Sequence, residues 1–349
     1  MEKREIHDKP QRLISYDILR ILAVLGVILI HIASAGDKHY ASTWQWEYCN
    51  FIESTVRWAV PAFVMISGSF LLDKRHPLSS RKLLHKTIRL VSALVIWSFL
   101  YALFQYLFMG ITFLDFVGKF VFGHSHLWYL YMLIGLYLGI PILRQVTLNE
   151  KVVKYYLLLT FFVGIILPTV EKVSGASTVT KFIDRFYLNQ FTGYLCYFLL
   201  GYYLKYAAVS FSKIQVKLLY LLGCMGFLAI WLSASILSRR AQQIVSYSDN
   251  LLLPDFLLSL AIFVYFTRRK HGEKKRLISD ATIIYLSQLT FGVYLCHAFF
   301  LYLMTFLHIS VVYMNPILSF PLNLLLISIL SFCVSAVLHK IPFLSHYCC

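Results

Sequence analysis

Three polar side chains interrupt the apolar run SYDILRILAVLGVILIHIASA, which extends from Ser15 to Ala35. Asp17 supplies a carboxylate. Arg20 supplies a guanidinium fork matched to carboxylate or phosphate oxygens, and His31 an imidazole that exchanges a proton near neutral pH. Each costs several kcal/mol, roughly, if it faces hydrocarbon. A helix turns about 100° per residue, so Asp17 and Arg20 are separated by about 300°, and His31 returns to within about 20° of Arg20. The three share one stripe, along which Arg20 and His31 stand about 16 Å apart. Such a stripe must meet protein or a water-filled cavity. Two plainer readings stay open: an Asp17–Arg20 ion pair snorkelling at a helix end, and a packing hydrogen bond for His31.

Further polar groups follow the same habit. In FIESTVRWAVPAFVMISGSFLLD, Glu53 and Arg57 lie four residues apart on one helical face, in the first two turns of an expected span. Pro61 is expected to bend that span, and Ser67-Gly68 to permit close helix approach. The run SSRKLLHKTIRL carries Arg81, Lys82, His85, Lys86 and Arg89, which suit phosphates or simply flank a span. HSHLWYLYMLIGLYLGIPILR opens with His124, His126 and Trp128, which equally suit an aromatic-belt anchor. LSQLTFGVYLCHAFFLY places Tyr294 and His297 one turn apart, a second intramembrane imidazole. No metal site is expected.

The elements that must position these groups are membrane helices. Hydrophobic residues make up 59% of the 349, charged residues only 14%, and mean hydropathy is +0.70. A soluble domain of this size carries about a quarter of charged residues. Ten apolar spans are expected, over 13–33, 51–72, 87–109, 125–143, 155–170, 190–204, 218–237, 250–267, 282–307 and 317–339. With the N-terminus inside, 22 Lys and Arg fall in inner segments and 7 in outer loops, so N-in and C-in is expected. That asymmetry accounts for the formal net charge of +16 without a nucleic-acid partner.

The fold class is therefore all-α, a polytopic bundle of about ten transmembrane helices forming a single domain over 1–349. Residues 1–12 are a cytoplasmic tail and 340–349 a short C-terminal one. No two-halves repeat is visible. Ala33-Ser34-Ala35 resembles a signal cleavage site, but Asp17 and Arg20 inside the run argue for an uncleaved helix. The cysteines read as small apolar residues: Cys196, Cys224, Cys296 and Cys333 in apolar stretches, Cys49 in a loop, and Cys348 and Cys349 terminal and outside a C-a-a-X box. The tract Arg268-Arg269-Lys270 to Lys274-Lys275-Arg276 reads as an inner loop near anionic headgroups or ligands.

Five pieces in order, YDILRILAVLGVILIH, VRWAVPAFVMISG, RKLLHKTIRL, HLWYLYMLIGLYLGIPILR and TFGVYLCH, resemble the membrane acyltransferase-3 family of bacterial acyltransferases. The resemblance runs over nearly the whole chain. It implies a roughly ten-helix domain of the bacterial cytoplasmic membrane that uses cytoplasmic acyl-CoA, usually acetyl-CoA, as co-substrate, with no bound cofactor. The acceptor it implies is a hydroxyl of a cell-surface glycan or its lipid-linked precursor. The lipid bilayer is a further partner, and an oligomer is left open. The family's first-helix motif maps onto Arg20 and His31, its second-helix residues onto Arg57, Ser67 and Gly68, its basic segment onto Arg81 and Arg89, and its late histidine onto His297.

On that reading His31, Arg20 and Asp17 carry catalysis: His31 as general base, Arg20 on a phosphate or pantetheine carbonyl, and Asp17 orienting Arg20. Arg81, Lys82, Lys86, Arg89 and Ser67 bind acyl-CoA, while Glu53, Arg57, His297 and Trp128 face the acceptor. Polar groups in spans suit a polysaccharide exporter too, and a membrane sensor or scaffold is a third reading.

Overall fold

A helix satisfies its own backbone amides and carbonyls, so an apolar run in lipid has little alternative. The computed structural model describes residues 12–38, 43–75, 77–175, 178–207, 210–241, 243–244, 249–269, 278–342 and 344. No strand occurs among them. The helices are α1 Ile14–Ser34, α2 Trp44–Val56, α3 Ala59–Leu71, α4 Ser80–Met109, α5 Phe113–Phe122, α6 Trp128–Val146, α7 Glu150–Phe161, α8 Leu167–Ser174, α9 Thr178–Arg185, α10 Leu195–Ala207, α11 Lys213–Ala241, α12 Leu253–Arg268, α13 Asp280–Phe306 and α14 Pro316–Lys340. A π-helical turn over Phe162–Ile166 joins α7 to α8. Residues 1–11, most of the tract 268–276, and Cys348 and Cys349 lie outside the described residues.

Among the described residues, seven stretches are long and apolar enough to cross a membrane: α1, α4, α5 with α6, α7 with α8, α11, α13 and α14. The three other spans expected from sequence correspond to α3, α10 and α12, of 13, 13 and 16 residues. At about 1.5 Å per residue, a 13-residue helix reaches about 20 Å, short of the ~30 Å hydrocarbon core. Their apolarity serves protein packing: Met65, Phe198 and Val264 are fully buried.

The expected single helix over 51–72 is two helices. α2 ends at Val56, Arg57 caps it, and α3 starts at Ala59. Pro61 supplies the reason, because its ring excludes the carbonyl four residues back, which is that of Arg57. A proline is tolerated in the first turn of a new helix, and there Pro61 sits. The anticipated bend is thus a break at Arg57-Trp58, and Glu53 and Arg57 belong to the end of α2 rather than to the start of a long span. Cys49, expected in a loop, is buried within α2.

α3 crosses α10 at two glycines. A Cβ on Gly68 would run into the Phe198 carbonyl, and one on Gly201 into the Met65 carbonyl. Small residues at such a crossing let two backbones approach. α1 packs against α13, α14 and α3, and a Cβ on Gly292 of α13 would collide with the Ser335 side chain on α14. The Ser335 hydroxyl donates to the Leu289 carbonyl at 2.8 Å, tying α14 to α13. α1 and α13 therefore run through the middle of the bundle and carry their polar groups into it.

Beyond α3 the chain is pinned by charge. Lys205 Nζ lies 2.9 Å from the buried Asp73 carboxylate, and the Arg144 guanidinium donates to the Leu71 carbonyl at 2.9 Å. Arg144 thereby satisfies a carbonyl that a helix end leaves open. Burial disfavours the charge on Asp73, but hydrogen bonds from Tyr206, Lys205 and Arg75 outweigh it and hold the carboxyl below the usual carboxylate range.

Candidate active site

A cavity of about 560 Å³ opens between α1, α3, α4, α6, α13 and α14. That volume falls in the roughly 300–1,000 Å³ range of small-molecule sites. One end is basic, with Arg20 from the start of α1, Lys86 and Arg89 from the start of α4, and His339 from the end of α14. The other end carries His31 from the end of α1, His126, Trp128 from the start of α6, and Tyr294 of α13. Ser67, Tyr129, Tyr137, Ser287, Gln288 and Thr290 line it too. The polar faces of α1 and α13 thus meet space rather than lipid, which answers the cost of keeping them in the membrane.

At the basic end the carboxylate is shared unequally. Asp17 is buried and accepts from Arg12 Nε at 2.8 Å and Nη2 at 3.0 Å, and from the Ser287 hydroxyl at 2.7 Å. Arg20 Nη1 stands off at 3.7 Å, and its guanidinium lies 5.5 Å from the centre of the Phe70 ring. Asp17 takes its three hydrogen bonds from Arg12 and Ser287, while Arg20 lines the cavity. The expected pairing of Asp17 with Arg20 is secondary in the fold. The Arg89 guanidinium lies 5.5 Å from the Phe291 ring centre.

At the other end four imidazoles cluster. The His31 ring centre lies 5.1 Å from that of His297 and 6.3 Å from that of His126, and His126 lies 5.1 Å from His297. His297 is wholly buried and packs behind His31, and it does not line the cavity. Its Nδ1 lies 2.6 Å from the Tyr294 carbonyl oxygen. A carbonyl only accepts, so Nδ1 carries the proton and neutral His297 keeps a bare Nε2. His124 Nδ1 lies 2.7 Å from His126 Nδ1, joining the fourth ring.

Residues 13–340 match the acyltransferase-3 family model, described as an acyltransferase domain. The chain belongs to the acyltransferase-3 family. The family and the seven apolar stretches together describe a multi-pass membrane protein of acyltransferase type. No curated protein and no solved structure matches the chain.

Within this acyltransferase-3 chain the cavity gathers Arg20, His31, Ser67, Lys86, Arg89 and Trp128 of the residues given a role from sequence, and His126 and Tyr294 of those noted without one. It does not gather the rest. Arg81 and Lys82 are exposed on the first turn of α4, away from the lining. Glu53 and Arg57 pair with each other at the end of α2, also outside it. Sequence reasoning passed over His126 as an interfacial anchor and did not single out Tyr129, Tyr137, Ser287, Gln288 or His339. The signal for Ser287-Gln288 was there, two adjacent polar residues in an otherwise apolar span.

Proposed function

We propose that the chain is an integral membrane acyltransferase that moves an acyl group, acetyl in the simplest case, from cytoplasmic acyl-CoA to a hydroxyl of a cell-surface or lipid-linked glycan. The observation that carries the reading is one cavity with a cationic mouth at one end and an unsaturated cluster of imidazoles at the other. Lys86 and Arg89 hold the phosphates of CoA at the mouth, and Arg20 holds a phosphate or the pantetheine carbonyl beyond it. The thioester then lies toward His31. His31 takes the proton of the acceptor hydroxyl as its oxygen attacks the thioester carbonyl. When the carbon–sulfur bond breaks, the same proton passes from His31 to the departing sulfur, giving CoA and the ester.

Trp128, exposed at the end of the cavity away from the basic mouth, offers a face on which a sugar can stack. With the N-terminus on the cytoplasmic side, as the charge asymmetry of the sequence suggests, the basic mouth at the start of α1 faces the CoA pool. The test is calorimetric titration of the detergent-purified chain with acetyl-CoA, followed by CoA release in the presence of a glycan fraction. Saturable binding with glycan-dependent release supports the reading. Absence of binding by acetyl-CoA and by longer acyl-CoAs overturns it.

A further inference from the structure

His126 is only 2% exposed, it lines the cavity, and its Nε2 is buried without a hydrogen-bond partner. Its other nitrogen is fully engaged. His126 Nδ1 lies 2.7 Å from His124 Nδ1, and His124 Nε2 lies 2.7 Å from the Tyr302 hydroxyl oxygen. His124 Nδ1 also lies 3.5 Å from the Ser125 hydroxyl, at the outer limit of a hydrogen bond. The backbone of His126 is fixed as well, because the Tyr294 hydroxyl donates to its carbonyl at 2.7 Å. The Tyr101 ring packs 4.9 Å from His126 and 4.7 Å from His124.

With both rings neutral, the chain Tyr302–His124–His126 has two proton arrangements. In the first, the phenol donates to His124 Nε2, His124 Nδ1–H donates to His126 Nδ1, and His126 carries its proton on Nε2. In the second every donor is reversed, His124 Nε2–H donates to the phenol oxygen, and His126 Nε2 is bare. The two differ in acid–base match. A phenol is a stronger acid than a neutral imidazole N–H, and an imidazole nitrogen is a stronger base than a phenol oxygen. The first arrangement pairs the strong donor with the strong acceptor, which favours it.

We propose that His126 is a catalytic residue whose Nε2–H donates to the carbonyl oxygen of the bound acyl thioester, with Tyr302 and His124 as positioning residues that fix its tautomer. This rests on the acyl-transfer reading of the same cavity. The rings of His31 and His126, 6.3 Å apart, can address two oxygens on one carbon. His31 meets the attacking hydroxyl and His126 the carbonyl, each at about 3 Å. As the carbonyl oxygen becomes an oxyanion, the fixed dipole of Nε2–H meets charge that did not exist in the ground state. No proton is transferred in this step: His126 donates a hydrogen bond and keeps its hydrogen.

Nitrogen-15 NMR of the histidine-labelled chain reads the tautomers without any turnover. The wild type is expected to show His126 as the Nε2–H form. Tyr302→Phe is expected to mix the tautomers of His126 as well as His124, although of the two imidazoles Tyr302 is hydrogen-bonded to that of His124. In the activity arm, His126→Phe lowers kcat for CoA release by about 100-fold or more with little change in the KM for acetyl-CoA. Tyr302→Phe lowers kcat by a smaller factor with the same unchanged KM. An Nδ1–H form of His126 in the wild type, or a His126 signal indifferent to Tyr302→Phe, overturns the proposal. Failure of the wild type to release CoA counts against the acyl-transfer reading instead, while the nitrogen spectrum still decides which proton His126 presents.

Discussion

The imidazole rings of His31 and His297 lie 5.1 Å apart, and only one of them reaches the cavity. His31 lines it. His297, with Nδ1 committed to the Tyr294 carbonyl at 2.6 Å, stands behind with a bare and buried Nε2. A lone pair of that kind stabilises a protonated neighbour more than a neutral one. His297 therefore supports the state in which His31 holds the hydroxyl proton. His297→Phe keeps a ring in the packing and removes the lone pair. Its kcat should fall by about tenfold to 100-fold, the equivalent of 1–3 kcal/mol, with acetyl-CoA affinity within about twofold. Steady-state CoA release alongside calorimetry separates the two parameters.

The basic mouth makes a sharper distinction than the sequence does. Arg89→Ala removes a guanidinium that lines the cavity and should weaken acetyl-CoA binding by about 10- to 100-fold, since a charge-assisted hydrogen bond contributes about 1.5–3 kcal/mol. Arg81→Ala and Lys82→Ala change exposed residues off the lining and should alter binding by no more than about twofold. Calorimetric dissociation constants for the three variants decide whether the cavity or the linear basic run receives CoA.

Stability near the end of α3 should depend on pH through Asp73. Burial works against the charge, but the hydrogen bonds from Tyr206, Lys205 and Arg75 win and lower the carboxyl in the fold. A lowered folded value means that the stabilisation is present above the unfolded pKa of about 4 and is lost as pH falls from there through the folded value. Asp73→Asn leaves the buried Lys205 without its carboxylate and should lower Tm in detergent at neutral pH. The gap between wild type and variant should stay constant above about pH 5 and narrow below about pH 4. A gap that widens in acid contradicts the assignment.

The α3–α10 crossing predicts intolerance to a single methyl. Gly201→Ala places a Cβ against the Met65 carbonyl, so the helices must separate, at about 1–3 kcal/mol or more. Gly118 of α5 has open space around it and serves as the control. Gly118→Ala should leave the melting temperature unchanged or slightly raised, since alanine is the better helix former. Scanning fluorimetry of the two variants side by side measures the difference.

The Arg20–His31 relationship was legible because helical periodicity alone fixes which residues of α1 share a face. Long apolar helices were legible for the same reason of local composition. The short ones were not, because a run such as LCYFLLGYYL in α10 reads alike whether it meets lipid or other helices, and only packing decides. The break before Pro61 was half legible: the proline was noticed, but its exclusion of the Arg57 carbonyl moved the interruption four residues upstream. His126 was hidden by its position at the start of a span, where histidine and tryptophan usually mark an interface. Its burial comes from Tyr101 of α4 and Tyr294 of α13, contacts remote in the chain.

The account turns on His31 as the base, and one paired measurement addresses it. Acetyl-CoA binding and glycan-dependent CoA release are followed for wild type and His31→Ala in the same detergent preparation. The account predicts binding within about twofold and a rate at saturating acetyl-CoA reduced by about 100-fold or more. A His31→Ala chain that releases CoA at the wild-type rate would contradict it, and so would one whose only defect is weaker acetyl-CoA binding.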